Sequence, residues 1–317
     1  MKKLISLLLG LFITILSFAS INSKDHLKRD GLALYDESVR GNNVIHFINT
    51  RSQDAILLES NGQFALIDAG EPYFTRSGEE RDGHADYIID YIMRVTEGAG
   101  HLDFVIGTHP HIDHMGGFEA ILSDPDISAD RAYFQPYMNN QYTLEMIEVC
   151  EARDIEMIYE NLNLLQLTLG EMTVTIINGN FDPKQSINDS SLGQLVEVNG
   201  FRAYLAGDIT GFQNELTLLP DIGGKIDLLK IGHHGYNDAN GSEYMEVLKP
   251  DVAIYTNVYM WINENVVNRV ANAGAVQYAT GDFGGIAAVF DDEIKYYAID
   301  EFPLDKYTVE DYRAETE

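Results

Sequence analysis

Six residues constrain this chain more than any others: the run His109-Pro-His111-Ile-Asp113-His114, preceded by Thr108. The run follows a short apolar stretch, Phe104-Val-Ile106, that reads as a buried strand. In extended backbone, residues i and i+2 point the same way, so His109 and His111 can share one metal ion. Asp113 and His114 lie on the turn into a short helix predicted over 115–122, and can face a second ion nearby. Gly116-Gly117 lets the backbone pass close to such a site. A single histidine is most often structural. Three histidines and an aspartate within six residues at a strand end need another cause, and metal ligation supplies it.

The rest of the chain repeats this arrangement. Of nine histidines, five fall in two tight clusters. The second is Gly232-His233-His234-Gly235, again at the end of an apolar stretch, Ile226 to Ile231. Between the clusters, Tyr204-Leu-Ala-Gly-Asp208 is a strand ending in an acid, and Leu66-Ile-Asp68-Ala-Gly70 is a further one. An acid after a strand is common in turns, so Asp68 or Asp208 alone would say little. Together, these strand ends imply one site at one edge of a layered fold.

The patterning predicts what those layers are. Strands are expected at 43–49, 55–59 and 64–67, with Asn61-Gly62 turning the hairpin between the last two. A helix is expected over 85–95, with Asp82 as a possible cap, and another over 143–152. Two strands flank Gly170-Glu171, and a second hairpin turns at Asn199-Gly200. Later strands are expected near 226–231, 252–255, 275–279, 286–290 and 294–299, with a helix near 263–273. Strand runs that twice give way to strand–helix alternation suggest an α/β (α+β) chain forming an αββα sandwich, in one domain over 43–300.

The ends are different. Met1-Lys2-Lys3, the apolar run Leu4 to Phe18 and the small residues at Ser17-Phe18-Ala19 form the pattern of a secretory signal peptide over 1–19. The apolar run is shorter than the ~20 residues that span a bilayer, which favours cleavage over anchoring. Residues 20–42 read as a loosely held mature N-terminus, and 301–317 as an acidic surface tail. Cleavage after Ala19 leaves nineteen basic against fifty acidic residues and moves the net charge from -29 to -31. Such a surface repels polyanions and argues against nucleic-acid binding through a basic patch. The single cysteine, Cys150, permits no internal disulfide and reads as a buried small hydrophobe.

Asp68-Ala-Gly70, the His-x-His-x-Asp-His run, Gly207-Asp208 and His233-His234-Gly235 together resemble the metallo-β-lactamase superfamily, over roughly residues 43–299. One departure narrows the resemblance. That family usually supplies a further histidine ligand between the first motif and the later aspartate, yet this chain has none from 115 to 232. At the matching place stands Asn188-Asp-Ser190-Ser191-Leu192. This segment is similar to the extracellular domain of competence DNA-uptake channel proteins, and the phosphorylcholine esterases of Gram-positive cell surfaces form a related branch.

The resemblance implies a secreted hydrolase with two divalent ions, Zn²⁺ first and Mn²⁺ or Fe as alternatives. One ion would be held by His109 and His111 with Asp208 bridging, the other by Asp113, His114 and His234. Attack by a metal-bound hydroxide on a phosphoester follows, with Asp113 orienting the nucleophile and His233 serving the leaving group. Asp68 would orient a ligand histidine, and Asn188 or Ser190 would orient water or substrate. The expected partner is a small or cell-surface phosphoester, with long nucleic acid disfavoured by charge and no lasting membrane insertion. A carbon-ester, lactone or lactam hydrolase on the same fold, and a surface binding protein with a decayed site, are the competing readings. Among the weaker candidates, His84 reads as a surface histidine and Lys230 as an edge residue. Tyr255, Tyr259 and Trp261 read as core or rim aromatics that could hold a cationic head group.

Overall fold

Period-2 patterning sends alternate residues of each strand to opposite faces, and in this chain both faces are apolar. In Asn43–Ile48, Ile45 and Phe47 face one way while Val44 and Ile48 face the other. Leu205 and Tyr204 diverge in the same manner in Phe201–Leu205. Strands apolar on both sides must be covered on both sides, so they form the middle of a layered structure.

The computed structural model describes residues 23–76, 79–82 and 84–299, with backbone path alone for 23, 73–76 and 79–82. Two large sheets pack face to face. One has nine strands in the order 156–158, 131–133, 104–106, 63–67, 56–60, 43–48, 285–290, 294–298, 33–34. The other has eight, in the order 27–28, 276–279, 252–255, 228–230, 201–205, 193–198, 172–177, 166–169. Ile45, Phe47, Ile67 and Phe104 of the first meet Val174, Val196, Leu205 and Ile254 of the second in a shared core. Helices Ala85–Val95, Phe118–Ser123 and Gln141–Arg153 cover the outer face of the first sheet. Helices Phe212–Ile222, Ser242–Leu248 and Glu264–Asn272 cover the second. The expected αββα sandwich is what forms.

Each sheet joins an antiparallel half to a parallel half. In the first, 43–48, 56–60 and 63–67 are antiparallel, while 63–67, 104–106 and 131–133 run parallel. In the second, 166–169 through 201–205 are antiparallel, while 201–205, 228–230, 252–255 and 276–279 run parallel. Parallel strands end at the same edge, so the parallel halves present a row of C-terminal strand ends there.

Several elements depart from expectation. The segment expected to be loosely held is tied down from residue 23 onward. Leu27–Lys28 adds to one sheet beside Gln277–Tyr278, and Ala33–Leu34 adds to the other beside Tyr297–Ala298. Lys24 Nζ donates to the Tyr259 carbonyl at 2.9 Å. The N-cap position of helix Ala85–Val95 is His84, while Asp82 belongs to strand Glu79–Asp82. The helix expected over 115–122 splits into Ile112–Met115 and Phe118–Ser123 around Gly116-Gly117. A Cβ on Gly117 would collide with the Ala69 carbonyl, so the tight passage of these two loops requires glycine. Two helices were not expected. Phe212–Ile222 contains Pro220, and Ser242–Leu248 has only seven residues. The expected signal peptide at 1–19 and acidic tail at 301–317 lie outside the described residues.

Candidate metal centre

Five parallel strand ends meet at this edge. Gln63–Ile67 delivers Asp68, and Phe104–Ile106 delivers Thr108, His109 and His111. The one-turn helix Ile112–Met115 then carries Asp113 and His114. From the second sheet, Phe201–Leu205 delivers Asp208, Leu228–Lys230 delivers His233 and His234, and Val252–Tyr255 delivers Thr256. Backbone bonds hold the loops to one another. Ala69 N–H donates to the His114 carbonyl (2.7 Å), Leu192 N–H to Thr108 (2.9 Å) and His233 N–H to Gly207 (3.1 Å). His233 and His234 both take left-handed backbone, φ 48°. That conformation is costly for residues with a Cβ, and it throws both rings toward the strand ends.

The donor atoms converge. His114 Nε2 lies 3.1 Å from His234 Nε2. Asp208 Oδ2 lies 3.0 Å from the former and 3.2 Å from the latter. Asp113 Oδ2 is 3.6 Å from His234 Nε2 and 3.9 Å from His114 Nε2. One ligand atom from each of Asp113, His114, Asp208 and His234 falls within 4.8 Å of all the others. Beside them, His109 Nε2 lies 3.0 Å from His111 Nδ1.

The outer ring nitrogens explain which atoms face inward. His114 Nδ1 is 2.7 Å from Asp68 Oδ2, a carboxylate also bonded by Thr108 N–H and Oγ1. His234 Nδ1 faces Thr256 Oγ1 at 3.2 Å and Asp54 Oδ1 at 3.4 Å. His109 Nδ1 faces the hydroxyls of Ser191 and Thr108, both at 3.1 Å. An imidazole that gives its outer N–H to an acceptor turns a lone pair inward, the arrangement that metal-binding histidines use. Lone pairs and carboxylates aimed at one point repel each other unless a cation stands between them, so this donor set fits divalent ions.

The carboxylates make the site strongly attractive to positive charge. Burial, the largest single influence, pushes His114 and His234 down, but the carboxylates together outweigh it: Asp208, Asp68 and Asp113 at His114, and Asp208, Asp54 and Asp113 at His234. Both rings are held well above the ordinary imidazole value. His109, with its ring buried and His114 beside it, is held well below. Asp54, Asp68 and Asp208 are each buried to 1% exposure or less. Lys230 is fully buried among them. Its ammonium pairs with Asp54, donates to the Gly207 carbonyl at 3.0 Å and lies 3.6 Å from Asp208 Oδ1. Burial would lower the Lys230 value, and Asp54 and Asp208 raise it instead. Lys230 is therefore no edge residue.

The other predicted residues sort unevenly. His233 Nε2 reaches to 3.9 Å from Asp208 Oδ2, while its Nδ1 meets Asp238 Oδ1 at 2.7 Å. Asn188 Nδ2 stands 3.4 Å from His233 Nε2. Ser190 turns away and donates to the Ile187 carbonyl at 2.6 Å. Its neighbour Ser191 takes the inner place, accepting from Asp208 N–H at 3.1 Å as well as meeting His109. The correction is one residue of register: the segment turns through a short 3₁₀ helix, Asn188–Ser190, rather than staying extended. His84, expected at the surface, is buried, and burial beside the Arg51 charge lowers it to about 4. Tyr255 is core, bonded to Gln277. The Tyr259 ring already carries the chain's own cations, Lys24 and Arg29, 5.0 and 4.6 Å from its centre. Cys150 is buried as expected.

Sequence reasoning missed Asp54, Thr256, Ser191 and Asp238. Asp54 follows a loop before strand Ile56–Ser60 and carries no ligand-like spacing, so only the tertiary fold reveals it. Asp238 sits four residues after His234, in a stretch that reads as ordinary turn.

Residues 48–138 match the family model described as metallo-beta-lactamase superfamily. The chain is 28% identical over 160 residues to ComE operon protein 3 of Bacillus subtilis (strain 168), covering 50% of this chain and 20% of that protein. It is 23% identical over 209 residues to competence protein ComA of Neisseria gonorrhoeae, covering 60% of this chain and 27% of that one. The chain thus spans 20% to 27% of the length of these curated relatives. Among solved structures, the metallo-beta-lactamase fold protein YhfI from Bacillus subtilis aligns with a TM-score of 0.49 at 12% identity, covering 75% of this chain and 95% of that one. A diphosphatase from the PhnP family aligns with a TM-score of 0.41 at 15% identity, covering 77% and 86%.

Proposed function

We propose that this chain, which carries the metallo-β-lactamase superfamily match over residues 48–138 and resembles the competence proteins, is a secreted metal-dependent hydrolase of phosphoester bonds. The observation that carries the reading is the meeting of His109, His111, Asp113, His114, Asp208 and His234 at one edge, inner ring nitrogens face to face. Secretion rests on the Met1–Ala19 pattern. Among the described residues, no helix is long and apolar enough to cross a membrane.

Two divalent ions would be held, one by His109 and His111 with Asp208 bridging, the other by Asp113, His114, Asp208 and His234. Zinc suits the nitrogen-rich set, and manganese or iron suit its carboxylates. Bound there, such ions supply Lewis-acid charge and acidify a water.

The chain's own residues do the rest. Asp68, Thr256 and Ser191 fix the rings of His114, His234 and His109, so no ligand must reorient during turnover. The Lys230 ammonium, 3.6 Å from Asp208 Oδ1, offsets the charge of that carboxylate, whose Oδ2 faces the centre. Asp113, partly exposed, orients the attacking water. Asp238 takes the Nδ1–H of His233, so His233 Nε2 keeps a lone pair toward the site. That atom takes the proton the water sheds and passes it to the departing oxygen.

Two features favour phosphoester over carbon-ester substrates: Asn188 to Ser191 stand where the family usually supplies a further histidine, which is absent from 115 to 232, and the His233-His234-Gly235 motif follows. Within the phosphoester class, the net charge of -31 after cleavage favours a small or zwitterionic substrate over a polyanion. Turnover of bis-p-nitrophenyl phosphate should need added Zn²⁺ or Mn²⁺, with little activity on a lactone or on nitrocefin. A protein holding its full metal complement and inert on a panel of phosphoesters would sink the reading. So would less than one bound metal per chain.

A further inference from the structure

Tyr236 follows Gly235 at the end of the His233-His234 turn, and 40% of its surface is exposed. A single exposed aromatic needs no cause in itself. This one stands beside the donor set. Its ring centre lies 5.1 Å from that of His233 and 6.4 Å from that of His234, tilted by 69° and 81°. Its hydroxyl reaches the first sheet's side, 3.4 Å from Ser52 Oγ. Ser52 belongs to the 49–54 loop, whose Asp54 N–H donates to the Asp113 carbonyl at 3.1 Å. The side chain therefore bridges the two sheets at the edge that bears the centre, from the His233-His234 turn to the loop beside Asp113.

The backbone beneath the ring is fixed. Tyr236 N–H donates to the His233 carbonyl at 2.8 Å, and the Gly235 carbonyl accepts from Asn263 N–H at 3.0 Å. Gly235 takes φ 86° and lies so close to the buried Tyr255 ring that a Cβ there would collide with it. A ring held at its base and met at its tip is a preformed wall, with little freedom left to lose when something packs on it. The histidines and carboxylates of the centre serve a phosphoryl group and offer nothing to the organic group esterified to it. Binding sites usually answer that need with an apolar or aromatic lining. Tyr236 supplies such a surface next to His233, on the side given above to the departing oxygen.

We infer that Tyr236 determines substrate preference: its ring receives the organic group of the phosphoester and favours an aromatic group there over a small alkyl one. The inference rests on the phosphoester reading above. Two aromatic rings in edge or offset contact gain more than their buried area alone supplies, and a methyl group makes no such contact.

The test is calorimetric titration of the whole chain, loaded with Zn²⁺, with phenylphosphonate and with methylphosphonate. These carry the same charged head and have no ester bond to cleave, so binding is read without turnover. The wild type should bind the phenyl compound ~5–10-fold more tightly, the scale that aromatic pairs give. Tyr236→Ala should cut that ratio by ~3-fold or more through weaker phenylphosphonate binding, with methylphosphonate affinity and zinc content within about twofold of the wild type. Tyr236→Phe keeps the ring, loses only the contact with Ser52, and should hold the ratio within about twofold. A smaller cut in Tyr236→Ala, whether both affinities fall together or neither falls, overturns the inference while the phosphoester reading stands. A zinc-loaded wild type that binds neither phosphonate removes both.

Discussion

Lys230→Met is the perturbation whose consequences the structure specifies most closely. Methionine matches the length of the lysine stem and removes only the charge. In the folded protein the ammonium pairs with Asp54, bonds the Gly207 carbonyl at 3.0 Å and stands 3.6 Å from Asp208 Oδ1. At an effective dielectric of ~20, the Asp208 contact alone is about 4–5 kcal/mol of attraction, partly offset by the cost of burying the ammonium. Removing it strands Asp54, buried to 1% exposure, beside Asp208 and Asp68. Breaking a buried pair from one side costs about 3–5 kcal/mol. In a domain of this size that lowers the melting temperature by about 6–15 °C. Urea unfolding in chelator, followed by circular dichroism, measures the loss free of metal. The partner variant Asp54→Asn lifts the stranded charge, so Lys230→Met with Asp54→Asn should recover ~1–3 kcal/mol relative to the sum of the single changes. A single variant within ~1 kcal/mol of the wild type, or a strictly additive pair, would refute the view that Lys230 neutralises the carboxylates beneath the centre.

Other consequences are equally specific. Asp238→Asn should cut turnover of alkyl phosphodiesters ~100-fold but that of p-nitrophenyl esters under ~10-fold, with KM little changed, since both need the water deprotonated but only the poor leaving group also needs a proton returned. Equal losses on both substrates would refute proton return through His233. Glu215 takes the backbone N–H groups of Asn240 and Gly241, and burial pushes its carboxyl up to about 7. Unfolded, it titrates near ~4.3, so the folded form binds the proton more tightly. Its favourable contribution is then present below about 4.3 and lost as pH rises through about 7, by up to about 4 kcal/mol. Thermal melts from pH 4 to 8 should show a flatter profile for Glu215→Gln, and an unchanged slope would reject the linkage. Burial raises the Cys150 thiol to about 12, so Ellman's reagent should leave it unmodified in native protein and label it fully in urea. Rapid labelling of the native chain would contradict that burial.

What could be read in advance follows from where each signal lies. The His109 to His114 run announces itself because one strand end carries its ligands in local register. Strands such as Val252–Tyr255 and the helix Ala85–Val95 have patterns long or apolar enough to stand alone. Phe212–Ile222 does not, because Pro220 interrupts a leucine-rich stretch whose helix is set by packing on the second sheet. Lys230 and Asp54 were opaque for a stronger reason. Each looks like a solvated charge in its own segment, and only their meeting across the two sheets makes burial tolerable. The exchange of Ser190 for Ser191 shows the limit of motif matching: a 3₁₀ turn advances the register by a fraction that spacing alone does not show.

Asp113 and His114 come from one sheet, Asp208 and His234 from the other, and His114 meets His234 across 120 residues of sequence. An ion gripped by all four is therefore also a rivet through the mouth of the sandwich. Closing so long a chain loop is entropically costly for the unfolded protein, and an ion at ~1,000 times its dissociation constant would add about 4 kcal/mol to the folded form. The persistence of this protein would then track the trace-metal supply around it, falling as surrounding ligands compete the ion away before any substrate is met.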